Sequence, residues 1–152
     1  MEGDIDPVVR LSLRAWEPNF ASTRQAVGAE VDAALHPDWR AFQQASVESV
    51  CASPTTQTWV AEVEAIIAGF VAVSIHEDGR IGEIDMLAVD PDYQGNGIGT
   101  RLTEFALDRI REAGVPVAMV GTGGDPGHAA ARRTYEKAGL TFVPMARYFK
   151  RL

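Results

Sequence analysis

Apolar positions recur at two different periods along the 152-residue chain, and the change between them divides it into a helical third and a strand-rich remainder. Asp6-Pro7 reads as a helix start, with Asp as N-cap and Pro at the first helical position. Val8, Leu11 and Ala15 make one stripe and Val9, Leu13 and Trp16 another, so this helix should be covered on most sides, and Pro18 should end it. Ser22-Thr23-Arg24-Gln25 has the form of a capping box and opens a second helix, with Val27, Val31, Ala34 and Leu35 at helical spacing. Beyond His36-Pro37, the positions of Trp39, Phe42, Val47 and Val50 continue a helical face as far as Pro54.

From Thr58 the period changes to two. Residues 59–63 and 66–76 read as strands joined by a tight turn at Glu64-Ala65, and a turn at residues 77–80 leads to a third strand over residues 81–89. Such short connections imply an antiparallel meander. Asp90-Pro91 breaks the third strand. Gly95, Gly97 and Gly99 then open a helix whose stripe is Ile98, Leu102, Phe105, Ala106 and Ile110, and Gly114 and Pro116 stop it. A short strand over residues 117–120 follows, then a helix capped by Asp125-Pro126 and stopped by Gly139. Residues 140–143 and 145–149 read as a closing pair of strands around Pro144. With no repeat or linker, residues 1–152 are expected to form one α/β domain.

Composition narrows the function more by exclusion than by suggestion. A net charge of −7 argues against a nucleic-acid binder, which needs a basic face, and is compatible with a cationic small substrate. No apolar run nears the ~18 residues of a membrane span, so no membrane partner is expected. Residues 1–4 are acidic where a secretory leader would be basic. The single cysteine, Cys51, forms no internal disulfide, which fits a cytoplasmic setting. The three histidines and Cys51 show no ligand spacing, so no metal is expected.

The chemistry concentrates after the third strand, in Gln94-Gly95-Asn96-Gly97-Ile98-Gly99-Thr100. A glycine loop opening into a helix offers backbone N–H groups at the positive end of the helix dipole, which suits a phosphate. The spacing is not that of a dinucleotide fingerprint, and the lysine of a nucleoside-triphosphate loop is missing. Glu83 and Asp85 lie two apart on the third strand and should share a face, where two carboxylates raise each other's pKa and make a competent base.

Gln94-x-x-Gly97-x-Gly99, the preceding Leu87-Ala88-Val89-Asp90-Pro91, and Ala131-x-x-x-Tyr135-Glu136-Lys137-x-Gly139-Leu140 downstream together resemble the GNAT acetyltransferase superfamily. The resemblance implies a central mixed, mostly antiparallel twisted sheet flanked by helices, and acetyl-CoA as co-substrate. It places the pantetheine arm against Leu87, Ala88 and Val89, and the pyrophosphate on the loop from Gln94 through Gly95, Asn96, Gly97, Ile98 and Gly99 to Thr100. Arg101, with Arg132 or Arg133, would meet the remaining phosphate charge. The resemblance makes Tyr135 the proton donor to the CoA sulfur and a strand carboxylate the base, Glu83 matching by register and Asp85 as the alternative. Trp16, Phe20 and Trp39 would border the acceptor. Two departures stand out. His128 occupies a place where the family commonly has asparagine, and the strand that usually precedes the first helix is missing or shortened, which leaves a sheet edge open and predicts a homodimer. Three functions remain open at this point: acetyl transfer to a small-molecule amine, acetyl transfer to a protein or peptide, and non-catalytic acyl-CoA binding.

Overall fold

The computed structural model describes residues 5–152; the acidic start at residues 1–4, the stretch on which the missing or shortened first strand is read, lies outside them. Nine elements follow in order: α1 (Ile5–Val27), α2 (Ala29–Leu35), α3 (Trp39–Ala52), β1 (Thr56–Val63), β2 (Ile66–Ile75), β3 (Ile81–Val89), α4 (Ile98–Glu112), β4 (Val117–Val120) and α5 (Ala129–Lys137). Single 3-10 turns at Pro91–Tyr93 and Pro126–His128 lead into the two last helices. The sheet runs β1-β2-β3-β4, with the first three strands antiparallel and β4 parallel to β3. A parallel neighbour requires a crossover, and α4 provides it. The β1–β2 turn is tight because Glu64 and Ala65 both adopt positive φ (50° and 64°), the geometry a two-residue hairpin favours, although neither is a glycine.

Each face of the sheet carries its own core. Val71, Val73, Ile84 and Val89 pack under Leu102, Ala106 and Ile110 of α4. On the opposite face, Phe70 and Ala88 meet Val8, Val9 and Leu11 of α1 and Val47 of α3. Gly82 is what lets α4 approach β3: a Cβ there would lie 2.6 Å from Ile110 Cγ2, and Ile110 is itself buried. Gly82→Ala is therefore expected to destabilise the domain by about 1–3 kcal/mol, as overpacking does, which a urea denaturation midpoint would register.

Three sequence expectations are corrected. Pro18 does not end the first helix, because α1 continues through it to Val27. The proline forfeits one backbone bond, but contacts on both sides of it hold the helix. Val8, Val9 and Leu11 are buried before it, and after it Phe20 stacks on Trp39 at 4.8 Å. Ser22 consequently lies inside a helix rather than capping one, and its hydroxyl turns to Asp125. Finally, the expected strands at 140–143 and 145–149 do not form. Beyond Leu140 the chain has no regular structure, and every residue from 141 to 152 is exposed. A strand needs a paired neighbour and a covered face, and the tail of this chain has neither.

Candidate active site

The site begins with a defect in β3. Ala72 of β2 pairs with Met86 and Val73 pairs with Ile84, so Asp85 is an extra residue with no partner: a β-bulge. The bulge resets which side chains face which core. Ile84 lies under α4, Met86 and Ala88 face α1 and α3, and Leu87 and Val89 return to the α4 side. At the same place β4 ends its pairing with β3, which covers only residues 81–84. The amide of Asp90 donates to Ala68 O at 2.8 Å, and the alternation of an antiparallel ladder then turns the N–H and C=O groups of Leu87 and Val89 away from β2. They point toward the side that β4 has left. A row of strand hydrogen-bonding groups is thus open to a ligand, except that Gln94 Nε2 donates to Val89 O at 3.0 Å.

The loop that follows is held from below. Asp90 is 8% exposed; its carboxylate accepts both Arg14 Nη1 (2.7 and 2.8 Å to its two oxygens) and the Asp92 amide at 2.9 Å, while Arg14 Nη2 reaches Asp92 at 3.0 Å. This ion pair joins α1 to the turn that launches the glycine loop. Gly97, with φ of 80°, is the N-cap of α4 and supplies no side-chain cap, so the first N–H groups of that 15-residue helix have no side-chain acceptor. The backbone there matches an anion.

The opposite wall belongs to α5 and the turn before it. Tyr135 is half-buried, and that burial pushes its phenol pKa up, so the group keeps its proton throughout the neutral range. His128 donates from Nδ1 to Asp125 Oδ1 at 2.6 Å. The other carboxylate oxygen of Asp125 accepts Ser22 Oγ at 2.5 Å, and Ser22 Oγ in turn accepts the Gly127 amide at 3.1 Å. Burial pushes the Asp125 carboxyl up, but the bonds from Ser22 and His128 and the His128 charge outweigh it, leaving the pKa lowered. A carboxylate lowered in this way stabilises the fold above its ordinary titration range and ceases to do so as pH falls through its folded value.

These walls enclose an open cavity of about 540 Å³. Of the residues singled out from sequence, it brings together Trp16, Leu87, Ala88, Val89, Gln94, Gly95, Gly97, Ile98, Gly99, Thr100, His128 and Tyr135. The others stand elsewhere. Asn96 is exposed and its amide donates to Tyr93 O; Arg101 and Arg133 are exposed helix residues outside the lining. Arg132 spends its guanidinium on the carbonyls of Gly123 and Asp125, fixing the loop before α5 instead of facing the cavity. Phe20 and Trp39 stack on each other, with His36 edge-on to Phe20, as a cluster between the first helices. Glu83 accepts from His76 Nε2 at 2.7 Å, and neither Glu83 nor Asp85 lines the cavity. Asp85 is exposed overall, yet desolvation of its carboxyl pushes the pKa up; a bond from Ser74 opposes this, the Glu83 charge adds to it and His76 opposes it. Sequence reasoning missed Arg14 and the bonds that join Ser22, Asp125 and His128, having read Ser22 and Asp125 only as helix caps and His128 only as a departure from the family pattern. Among the described residues no group of three or more His, Cys, Asp or Glu is placed to hold a metal, and no helix is long and apolar enough to cross a membrane.

The model of the acetyltransferase (GNAT) family matches residues 16–140 of the chain. A mycothiol acetyltransferase of Sanguibacter keddieii is 36% identical over 140 residues, covering 86% of this chain and 44% of the relative; one from Streptomyces coelicolor is 30% identical over 136 residues, covering 81% and 43%. The chain therefore spans less than half the length of these relatives. Among solved structures, the apo aminoglycoside 6'-N-acetyltransferase AAC(6')-IG of Acinetobacter haemolyticus is similar over 100% of this chain and 94% of its own, with a TM-score of 0.68 at 13% identity. Aminoglycoside N-acetyltransferase AAC(6')-Iy in complex with CoA is similar over 78% of this chain and 95% of its own, with a TM-score of 0.59 at 16% identity.

Proposed function

This chain belongs to the acetyltransferase (GNAT) family, and on that premise we propose that it transfers the acetyl group of acetyl-CoA to a primary amine of a small molecule. The observation that carries the reading is the juxtaposition of three features around one cavity: unpaired backbone groups on β3, an uncapped α4 N-terminus at Gly97, and the protonated phenol of Tyr135. The first suits the amides of a pantetheine arm and the second a pyrophosphate, which together describe coenzyme A without any metal. The chemistry acetyl-CoA supplies is an activated thioester. Attack by a neutral amine nitrogen forms the C–N bond, the C–S bond breaks, and Tyr135 gives the departing sulfur a proton.

The amine also has to lose a proton, and alkyl amines near pKa ~10.4 arrive charged at neutral pH. The base is proposed among the β3 carboxylates. Glu83 stands six residues before Val89, roughly 20 Å along an extended strand, and its partner is His76, so a proton reaches it from the cavity only through water. Asp85 is two residues nearer, and desolvation raises its pKa, the direction that strengthens a carboxylate as a base. In kcat/KM against pH, the variant that loses the true base should lose activity on the acidic side and recover at high pH, where the amine deprotonates unaided. A larger loss in Asp85→Asn than in Glu83→Gln assigns the base to Asp85; wild-type profiles in both remove the carboxylates from the mechanism.

Thiol release from acetyl-CoA across polyamines, amino acids, aminoglycosides and peptides tests the function itself, and the name of the relatives adds the unacetylated form of mycothiol to that panel. Turnover with a small amine is the expected result. Turnover with peptides alone would convert the reading to a protein acetyltransferase, and acetyl-CoA binding without turnover of any amine would leave an acyl-CoA-binding module.

A further inference from the structure

The loop that suits a pyrophosphate is preceded by two carboxylates, which carry the wrong charge to stand beside an anion. Asp90 follows Val89 and Asp92 comes two residues before Gln94, and both Val89 and Gln94 line the cavity. The lining does not offset them, since among the described residues no lysine or arginine borders the cavity. Arg101 and Arg133 stand outside it, and Arg132 is bonded to the carbonyls of Gly123 and Asp125. The guanidinium bonded to this turn comes from α1 instead. Arg14 Nη1 donates to both oxygens of Asp90, at 2.7 and 2.8 Å, and Nη2 lies 3.0 Å from Asp92 Oδ2.

We propose, resting on the acetyl-CoA reading above, that Arg14 is the counter-charge of the pyrophosphate site: by cancelling Asp90 and Asp92 it lets an anion settle on the loop that follows. Arg14 does not itself line the cavity, so it acts through the two aspartates, as a positioning residue. The acids are not dispensable to the turn. Asp90 accepts the Asp92 amide at 2.9 Å and caps the 3-10 turn at Pro91–Tyr93, which leads into the glycine loop. The backbone thus needs a carboxylate for its shape, and an anionic ligand needs that carboxylate neutralised. A guanidinium that bonds both oxygens meets the two demands at once. Its place on α1 adds a geometric consequence, because the next residues, Ala15 and Trp16, line the same cavity. The cofactor loop and the α1 wall are therefore held in one register. The Arg14–Asp92 pair is open to water, with side chains 48% and 71% exposed, so it adds little to stability. Its effect belongs in ligand affinity.

Calorimetric titration of the full chain with acetyl-CoA at low ionic strength reads the sign of the effect. Arg14→Met keeps an aliphatic side chain and removes the charge, and acetyl-CoA affinity should fall about 10-fold. Asp92→Asn is the sharper variant, because its amide oxygen still accepts from Arg14 and its exposed position leaves the fold alone. The turn then carries one negative charge fewer, so affinity should rise about 3-fold. That gain should shrink toward molar salt, where the screening length falls to ~3 Å. A clamp that only held the turn in shape would give no gain. Asp92→Asn binding at or below wild-type affinity overturns the counter-charge role, and so does a folded Arg14→Met protein that binds as the wild type does. Melting curves without ligand report the folding, and if Arg14→Met does not fold, Asp92→Asn decides alone. A wild type that binds no acetyl-CoA overturns the functional reading itself, and the role of Arg14 falls with it.

Discussion

Replacing Gly97 by valine should abolish acetyl-CoA binding while leaving the sheet and both cores in place. Gly97 sits at φ of 80° as the N-cap of α4, a conformation that a β-branched residue adopts only under strain of roughly 1–3 kcal/mol. A Cβ there meets no protein atom within 4 Å, so the protein itself has room for the new methyl groups. That empty space is the lining of the cavity, where the proposed pyrophosphate would approach the backbone. The substitution thus acts twice on the ligand, once by tilting the first N–H groups of α4 and once by filling their approach. In the wild type, free acetyl-CoA at ~100 times its dissociation constant should stabilise the fold by about 2.7 kcal/mol, read as a rise in melting temperature. In Gly97→Val that rise should vanish, which means a loss of affinity on the order of 100-fold or more. Gly99→Ala is the control. Its Cβ would make an ordinary 3.7 Å contact with Val89 in helical backbone, and alanine favours a helix over glycine by ~1 kcal/mol, so stability should hold or improve and binding should persist. A folded Gly97→Val protein with the full ligand-dependent shift would remove the loop from the cofactor site.

The parts of this site that were legible in the sequence are those written in local chemistry. The glycine loop, the Asp90-Pro91 break and the helix after it follow from φ requirements and capping, which neighbouring residues decide, and β3 and α4 formed where their periodicities put them. What escaped depends on partners distant in the chain. Pro18 looked like a stop because the bond it deletes is local, whereas the Trp39 ring and the Asp125 carboxylate that hold α1 beyond it are not. The bulge at Asp85 is invisible to a period-two count, since it is defined by the register of β2, and it changes which side of the sheet Leu87 faces. Arg132 resembled a phosphate ligand by position alone; the carbonyls of Gly123 and Asp125 claim it only after the loop has folded over α5. The tail carried a genuine strand pattern but pairs with no strand of its own chain. Pattern specifies the willingness to pair, and topology supplies the neighbour.

Tyr135→Phe is expected to lower kcat by about 10²-fold while changing acetyl-CoA affinity little, because the ring and its packing survive and only the proton donor is lost. The sulfur acquires charge as the C–S bond breaks, so a donor at that point acts on the transition state far more than on the bound substrate. Burial raises the Tyr135 pKa above its ordinary value near ~10. The phenol therefore stays protonated up to and beyond that pH, and loss of the acid should leave no alkaline limb between pH 6 and 9 in the wild type. A limb inside that window would instead point to a group of lower pKa. The cavity offers an imidazole as the alternative donor, since His128 lies on the same wall with Nδ1 bonded to Asp125. The paired variants separate the two. If Tyr135 is the acid, Tyr135→Phe loses kcat across the whole range and His128→Gln keeps it, subject only to the loss of the Asp125 clamp, which a melting curve reads independently. Wild-type kcat in Tyr135→Phe, together with a large fall in a folded His128→Gln, would transfer the proton to the imidazole.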